Sequence, residues 1–240
     1  MIRFECGEFA ARAGPGAGRA PRLAPTIGRI SGLDATGNLM ANKEKLTPPR
    51  TIVLVGLMGA GKTCIGRRLA AALSLDFIDA DAEIELAAGC DIQDIFAHHG
   101  EAAFRNGERR VIARLLKRPV HVLATGGGAF MDPQTRAEIR KRGISLWLRA
   151  DLELMLKRTA RRNNRPLLKQ GDPREILQRL IDERYPAYAE ADIVVDSADG
   201  PPDVTLGRAL EGLGAYLRAH PDLAPAPAAA PAAAAAGSTP

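Results

Sequence analysis

The sequence predicts an α/β protein with a five-stranded parallel sheet that carries helices on both faces. The first observation is an alternation of short apolar segments with helical patterns, which is typical of a parallel sheet buried on both sides. The second is a glycine-rich loop that separates the first apolar segment from the first helical one. The apolar segments predict strands at residues 52–55, 75–78, 121–124, 144–148 and 193–195.

The intervals between these strands carry helical periodicity, and turn or capping residues mark their ends. Pro119 ends one predicted helix, Gly143 precedes the fourth strand, and Asp151 is a suitable N-cap. Asn106 and Gly107 are weak helix formers, so we expect their helix to be loosened at that point. Helices are predicted over about residues 62–73, 81–88, 91–98, 101–117 and 132–141, from 151 onward, and over 173–189 and 204–217.

The two ends of the chain differ in composition from the central domain, which we place at residues 51–218. Residues 1–50 are rich in Gly, Ala, Pro and Arg without periodicity, which predicts a disordered extension or a true start at Met40. A targeting peptide is a third interpretation, but Glu5 and Glu8 count against it. Residues 219–240 are rich in Ala and Pro and are predicted to form a disordered tail.

Charge and cysteine content argue against several classes of protein. The net charge is +5, yet residues 51–218 hold 25 basic and 23 acidic residues, so we predict no nucleic-acid partner. No apolar run reaches the roughly 18–20 residues that span a bilayer, so we predict no membrane partner. Cys6, Cys64 and Cys90 have no metal or redox spacing, which favours a cytoplasmic location. We expect the protein to act as a monomer.

The strongest functional signal is the segment from Gly56 to Thr63, which reads GLMGAGKT and fits the phosphate-binding pattern G-x-x-x-x-G-K-[ST]. Its glycines let successive backbone N–H groups turn toward an anion, and the following helix directs its positive end to the same place. Lys62 can contact the β- and γ-phosphates of ATP, and the Thr63 hydroxyl can ligate Mg²⁺. A plain glycine-rich turn is the alternative, which the strand before the loop and the helix after it disfavour.

Two further groups follow predicted strands, at the sheet edge where ligands of open parallel sheets gather. Asp79 and Asp81 follow the second strand. Asp79 can reach the Mg²⁺ shell, and Asp81 can orient or accept the proton of a substrate hydroxyl, although helix capping is an alternative role for both. Gly126–Gly128 follow the third strand, where they can bring backbone N–H groups to a small ligand or form only a turn.

Together these segments resemble the shikimate kinase family of P-loop small-molecule kinases. The resemblance covers residues 51–218 and rests on six segments in order: GLMGAGKT, FIDADAEIE, GEAAFRNGE, LATGGGA, NNRPLL and ERYPAYAEAD. It implies ATP-dependent phosphorylation of the 3-hydroxyl of shikimate, with Mg²⁺, in aromatic amino acid biosynthesis. It also implies a substrate-binding segment near residues 80–117 and a mobile lid near residues 160–172.

The resemblance assigns roles to individual residues. Catalysis is expected to depend on Lys62, Asp81 and Arg165, and Glu108 is expected to orient Arg105. The binding assignments are Gly59, Ala60, Gly61, Lys62, Thr63, Cys64, Arg158, Arg165 and Pro202 for ATP, then Asp81, Arg105, Gly127, Gly128 and Arg184 for shikimate, and Thr63 and Asp79 for the metal.

Other interpretations remain open at this point. Arg105 and Glu108 are three residues apart on a helix and could form an ordinary surface pair. Cys64 could pack as a small apolar group, and Trp147 is expected in the core. The alternative functions are a kinase of another small hydroxy acid, such as gluconate, and a non-catalytic sensor. The combination of the D-x-D, F-R-x-x-E and triple-glycine segments favours shikimate.

Overall fold

A computed structural model describes residues 46–160 and 171–225 of the chain. Its sheet contains five parallel strands in the order β2-β3-β1-β4-β5. The predicted α/β class with a five-stranded parallel sheet is therefore confirmed. The strands are β1 (Thr51–Val55), β2 (Phe77–Asp79), β3 (Val122–Ala124), β4 (Gly143–Arg149) and β5 (Ile193–Asp196).

Seven α-helices and a short 3₁₀ helix accompany the strands within the described ranges. A kink divides the third helix, because Gly100 has φ 75° and ψ 174°. The weak point therefore lies at Gly100, and the helix continues regularly through Asn106 and the buried Gly107, where the sequence predicted loosening. The helices are α1 (Lys62–Leu73), α2 (Ala80–Ala88), α3 (Ile92–Leu115), α4 (Pro133–Arg142), α5 (Leu152–Thr159), α6 (Pro173–Tyr188) and α7 (Pro202–Ala219), with the 3₁₀ helix at Ala129–Met131.

Strand β1 lies at the centre of the sheet, and all five of its side chains are buried, as expected for a strand covered on both faces. Helix α1 packs closely on this region because Gly66 has no side chain. A Cβ at Gly66 would lie 2.5 Å from the Phe77 ring and 2.8 Å from Leu54. Trp147 lies in the core, as predicted, with its ring edge-on to Tyr185 at a centroid distance of 4.8 Å. The close approach at Gly66 holds α1 against β1 and β2.

Contacts of the domain extend slightly beyond the predicted bounds of 51–218. Leu46 packs against the core, and Nε of Arg50 donates a hydrogen bond to the Ala224 carbonyl at 2.7 Å. Residues 1–45, the tail from 226 onward and most of the predicted lid at 160–172, including Arg165, lie outside the described residues. In the ranges that the structure covers, no helix combines the length and the apolar character needed to cross a membrane.

Buried His121 is expected to make the fold less stable at acid pH. Its Nδ1 lies 2.8 Å from the Pro119 carbonyl oxygen, and burial lowers the pKa of the imidazole. As the pH falls below about 6.5, where an unfolded histidine titrates, the unfolded state takes up a proton before the folded state does. The free energy of unfolding therefore falls, with a slope of at most about 1.4 kcal/mol per pH unit for one proton.

Urea denaturation between pH 7.5 and 5 measures this effect. His121→Gln is expected to show a shallower decline in stability over that range than the natural protein. Parallel declines in the two proteins would contradict the assignment to His121.

Candidate active site

The carboxyl ends of β1, β2 and β3 open into one cavity of about 610 Å³. All three groups that the sequence places at strand ends line this cavity: the phosphate loop, the pair Asp79 and Asp81, and the Gly126–Gly128 segment. Three arginines reach the same cavity from helices α3, α5 and α6, namely Arg105, Arg158 and Arg184. Pro202, at the start of α7, lies on its wall as well. The fold thus gathers every predicted site residue that the structure describes, apart from the buried Ala60 beneath the phosphate loop.

The phosphate loop has the curled backbone that its glycines predict. Gly59 and Gly61 have φ values of 82° and 101°, in the left-handed region that glycine adopts without strain. Helix α1 begins at Lys62, so its unpaired N–H groups and the positive end of its dipole lie at the loop. Nζ of Lys62 donates to the Gly56 and Leu57 carbonyls at 2.8 and 3.1 Å. This arrangement is a ready-made site for phosphate groups.

Asp79 has the capping role that the sequence left open, and its other carboxylate oxygen lies beside the phosphate loop. Its Oδ1 accepts a hydrogen bond from the Asp81 N–H at 3.1 Å and so caps α2. Its Oδ2 accepts from the Thr63 hydroxyl at 3.1 Å, beside the phosphate loop. No three His, Cys, Asp or Glu side chains converge on a metal site within the described ranges. A hydroxyl and one carboxylate are nevertheless a suitable donor set for Mg²⁺, which takes its other ligands from water and phosphate.

Asp81 is a half-buried carboxylate that lines the cavity. Burial, with the adjacent charge of Asp79, raises the pKa of Asp81, and the Lys62 ammonium opposes that shift. The side chain also approaches the glycine segment, because a Cβ on Gly126 would lie 2.9 Å from Asp81 Oδ1. A carboxylate in this setting can accept a hydrogen bond, or a proton, from a hydroxyl of a bound molecule.

Arg105 and Glu108 form a partly buried ion pair, so their interpretation as an ordinary surface pair is wrong. Nη1 of Arg105 donates to Glu108 Oε2 at 2.7 Å, and the Glu108 side chain is only 3% exposed. Burial raises the pKa of Glu108, while the Arg105 guanidinium opposes the shift. Glu101 also accepts from Arg105, at 3.2 Å. Glu108 therefore holds the guanidinium in place at the cavity wall, while a third of Arg105 remains exposed.

Arg184 and Tyr188 hold the glycine segment from the other side. Both donate to the Gly127 carbonyl, Arg184 through Nη1 at 3.0 Å and Tyr188 through its hydroxyl. Burial raises the pKa of Tyr188 to about 12, so its phenol remains a donor at neutral pH. Sequence reasoning included Tyr188 in a family segment but gave it no role. Its spacing of four residues from Arg184 on α6, which puts both on one helix face, was the available signal.

Replacing Gly128 with alanine is expected to weaken binding at Arg105 selectively. An added Cβ would lie 2.4 Å from Arg105 Nη1 and 2.6 Å from its Cζ, so the guanidinium must move. Gly128 has φ −96°, which an alanine adopts without strain, so the backbone should keep its course. We expect the KM of the acceptor substrate to rise roughly 10- to 100-fold, as for displacement of one charged hydrogen-bonding partner, with little change in the KM of ATP.

Gly127→Ala is the matched control for Gly128→Ala. A Cβ at Gly127 meets nothing closer than Arg184 Nη1 at 3.5 Å, which is ordinary contact. Steady-state kinetics should therefore show a clearly smaller rise in acceptor KM for Gly127→Ala. Equal effects of the two substitutions would contradict the steric argument.

Arg158 and Pro202 line the cavity together with Ser197, Gly200 and Thr205, and Arg158 and Ser197 contact the phosphate loop. The sequence predicted the first two and missed Ser197, although Ser197 directly follows β5 at the same carboxyl edge of the sheet. Apolar lining from Ile92, Phe96 and Phe104 was also missed, since ordinary helix periodicity accounts for such residues.

The structure contradicts one of the two predictions made for Cys64. The expectation that it packs as a small apolar group is wrong, because its side chain is exposed on the first turn of α1 and lines the cavity. The physical reason is its helix position: Ile65 and Gly66 take the buried face of α1, and Cys64 falls on the open face. Its contact with ATP stays a prediction.

The fold and the cavity define a class of protein. A phosphate loop between β1 and α1, a half-buried carboxylate at the next strand end and arginines lining the same cavity are the parts of a P-loop kinase that phosphorylates a small anionic acceptor. A model of the shikimate kinase family matches residues 58–213 of the chain. The chain belongs to the shikimate kinase family.

Individual relatives agree with this assignment. The shikimate kinase of Paramagnetospirillum magneticum is 68% identical over 168 residues, covering 70% of this chain and 86% of that protein. The shikimate kinase of Caulobacter vibrioides is 55% identical over 172 residues, covering 71% and 86%. Among solved structures, a shikimate kinase from Acinetobacter baumannii in complex with shikimate has a TM-score of 0.65 at 41% identity, over 68% of this chain and 91% of that one. The predicted activity, ATP-dependent phosphorylation of shikimate, is confirmed over the gluconate-type and sensor alternatives.

Proposed function

We propose that Mg·ATP binds along the phosphate loop, and that shikimate lies between Asp81 and the pair Arg105 and Arg184. The observation that carries this assignment is the convergence of these three parts in one cavity. The A. baumannii relative, which was solved with shikimate, supports a shikimate site in the same fold. In this arrangement the 3-hydroxyl of shikimate faces the γ-phosphate of ATP.

The two arginines are proposed to bind the shikimate carboxylate. A guanidinium fork matches a planar carboxylate and donates two parallel hydrogen bonds to it. Both arginines are already held in place by other groups, Arg105 by Glu108 and Arg184 by the Gly127 carbonyl. Such preorganisation reduces the entropy lost when the substrate binds. Backbone groups of Gly127 and Gly128 complete the acceptor site.

Asp81 and Lys62 are proposed to act on the reacting groups. Asp81 orients the attacking hydroxyl and takes its proton as the new O–P bond forms. The bond between the γ-phosphorus and the β–γ bridging oxygen breaks, ADP leaves, and Lys62 stabilises the negative charge on the β- and γ-phosphates. Little covalent work falls to the protein, so catalysis depends on positioning and charge stabilisation. A contribution from Arg165 at the transferring phosphate remains a prediction, as does closure of a lid around residues 160–172.

Thr63 and Asp79 are the residues proposed to hold Mg²⁺, which when bound neutralises charge on the ATP phosphates. Excess EDTA should abolish ADP formation, and added Mg²⁺ should restore it; activity that survives chelation would contradict the metal assignment.

We further propose a cytoplasmic monomer. Sedimentation velocity and cell fractionation test these two points, and a dimer or a membrane-bound fraction would overturn them.

Methyl shikimate, in which the carboxylate is esterified, tests the arginine assignment. The ester keeps the ring and its hydroxyls but removes the charge that Arg105 and Arg184 bind. We expect kcat/KM for the ester to be roughly 100- to 1,000-fold below that for shikimate, as for loss of a bidentate charged contact. Comparable values for the two acceptors would show that the arginines do not bind the carboxylate. Replacement of Arg179, an exposed residue on α6 that does not line the cavity, by alanine should leave the ratio between the two acceptors unchanged.

A further inference from the structure

The hydroxyl of Ser197 joins two parts of the cavity that come from distant parts of the chain. Its Oγ donates to the Ala60 carbonyl of the phosphate loop at 3.0 Å. The same Oγ accepts a hydrogen bond from Arg158 Nη1 at 2.8 Å. A serine hydroxyl has one hydrogen and two lone pairs, so both bonds form at once.

Arg158 is fixed by several acceptors in addition to Ser197. Nη1 lies 3.2 Å from the Gly59 carbonyl oxygen, and Nη2 donates to the Ala198 carbonyl at 2.6 Å. These bonds tie the end of α5 to the phosphate loop and to the segment between β5 and α7. Removal of the Ser197 hydroxyl would take away the shortest contact of Arg158 Nη1, at 2.8 Å, and leave this nitrogen its longer contacts with the Gly59 and Ala60 carbonyls, at 3.2 and 3.4 Å.

The place of this cluster in the cavity indicates which ligand group it serves. In the proposed function, the ATP phosphates occupy the phosphate loop and shikimate occupies the end lined by Asp81, Arg105 and Arg184. The lining residues assigned to neither group include Arg158, Ser197, Gly200, Pro202 and Thr205, and the first two contact the phosphate loop at the Gly59 and Ala60 carbonyls. This part of the lining, the nucleoside end, is therefore left for the nucleoside of ATP.

We propose that Ser197 is a positioning residue for the nucleotide, acting through Arg158. Its hydroxyl keeps the Arg158 guanidinium at the nucleoside end and couples it to the loop that binds the phosphates. This proposal rests on the proposed function only for the location of ATP, and it concerns nucleotide binding rather than the choice of acceptor.

The backbone of Ser197 is held independently of its side chain. Its N–H donates to the Arg149 carbonyl at 2.7 Å, which continues the pairing of β5 with β4. Ser197→Ala therefore removes the two side-chain bonds and leaves the strand end in place. A loss of nucleotide affinity in this variant then reports on the hydroxyl.

The test combines Ser197→Ala with Arg158→Ala and measures ADP binding by calorimetry without any acceptor. Ser197→Ala should weaken ADP binding about five- to tenfold, the range expected for one net hydrogen bond. In the Arg158→Ala background the same substitution should change ADP affinity less than twofold. Ser197→Thr, which keeps the hydroxyl, should restore most of the affinity. Tripolyphosphate, which lacks the nucleoside, should bind the natural protein and Ser197→Ala within twofold of each other.

Several outcomes would overturn the proposal. Equal losses in the two backgrounds, or an equal loss for tripolyphosphate, would mean that Ser197 supports only the phosphate loop. Unchanged ADP affinity in Ser197→Ala would mean that the hydroxyl has no positioning role. If Ser197→Ala does not fold, Ser197→Cys can be compared with the natural protein instead. Its thiol is similar in size to the hydroxyl but is a weaker hydrogen-bond donor. Because no acceptor is present, a failure of the shikimate assignment appears separately, as absence of shikimate-dependent ADP release by the natural protein.

Discussion

Asp81→Asn is expected to lower kcat for shikimate by about 10²- to 10⁴-fold, the range for loss of a positioned general base. Asparagine has nearly the same shape and can still accept a hydrogen bond, but it cannot take the proton of the attacking hydroxyl. The cap that the Asp81 N–H makes with Asp79 does not involve the substituted side chain, so α2 should keep its start. Shikimate should therefore still bind, with a dissociation constant within a few-fold of the natural value.

Separate measurements of kcat and of shikimate binding distinguish this role from a purely structural one. Asp182→Asn, on the exposed face of α6, is the matched control and should leave both quantities unchanged. A fall in kcat of less than about tenfold in Asp81→Asn, with shikimate binding retained, would refute proton acceptance by Asp81.

Arg105→Met is expected to damage both substrate binding and stability. It removes a guanidinium proposed to bind the shikimate carboxylate, so kcat/KM should fall about 10²- to 10³-fold. It also leaves Glu108, only 3% exposed, without the guanidinium that pairs with it. Breaking a buried pair in this way destabilises strongly, and the partial exposure of Arg105 reduces the expected cost to roughly 2 kcal/mol. For a domain of this size the Tm should fall by about 4–8 °C.

The double variant Arg105→Met/Glu108→Leu separates the two effects. Replacing both members of a buried ion pair with apolar residues of similar volume is often neutral for stability. The double variant should therefore recover most of the lost Tm while its kcat/KM for shikimate stays low. Recovery of activity together with the Tm would mean that Arg105 supports the fold only and does not bind the substrate.

The fold class could be predicted from the sequence because the patterns that indicate it are local, each within a few consecutive residues. Each strand is a short apolar run, and the phosphate loop is set by glycines whose positive φ values few other residues adopt. The strand order β2-β3-β1-β4-β5 was not predicted, because it depends on which strands pair with each other, and those strands are far apart in the sequence. The interruption at Gly100 agrees with the two separate helices predicted on either side of it, whereas the loosening expected at Asn106 and Gly107 does not occur.

The predicted site residues that the structure describes lie close together. The sequence did not predict which of them are buried or which contacts they make with other helices and strands. Nothing in an i,i+3 pair indicates that Glu108 is buried or that Arg105 meets Gly128. Ser197 contacts Ala60 and Arg158 only because β5, α5 and the phosphate loop meet in space. Packing as a small apolar group was one interpretation of Cys64, based on its residue type, whereas its position on α1 makes it exposed.

Coupled release of ADP from Mg·ATP tests the central claim most directly, with shikimate, gluconate and no acceptor compared at equal concentration. We predict rapid release with shikimate and release near background with gluconate or without an acceptor. NMR should show that the product carries its phosphate on the 3-hydroxyl. Release that is independent of shikimate, or a phosphate on another hydroxyl, would contradict the placement of shikimate between Asp81 and the two arginines.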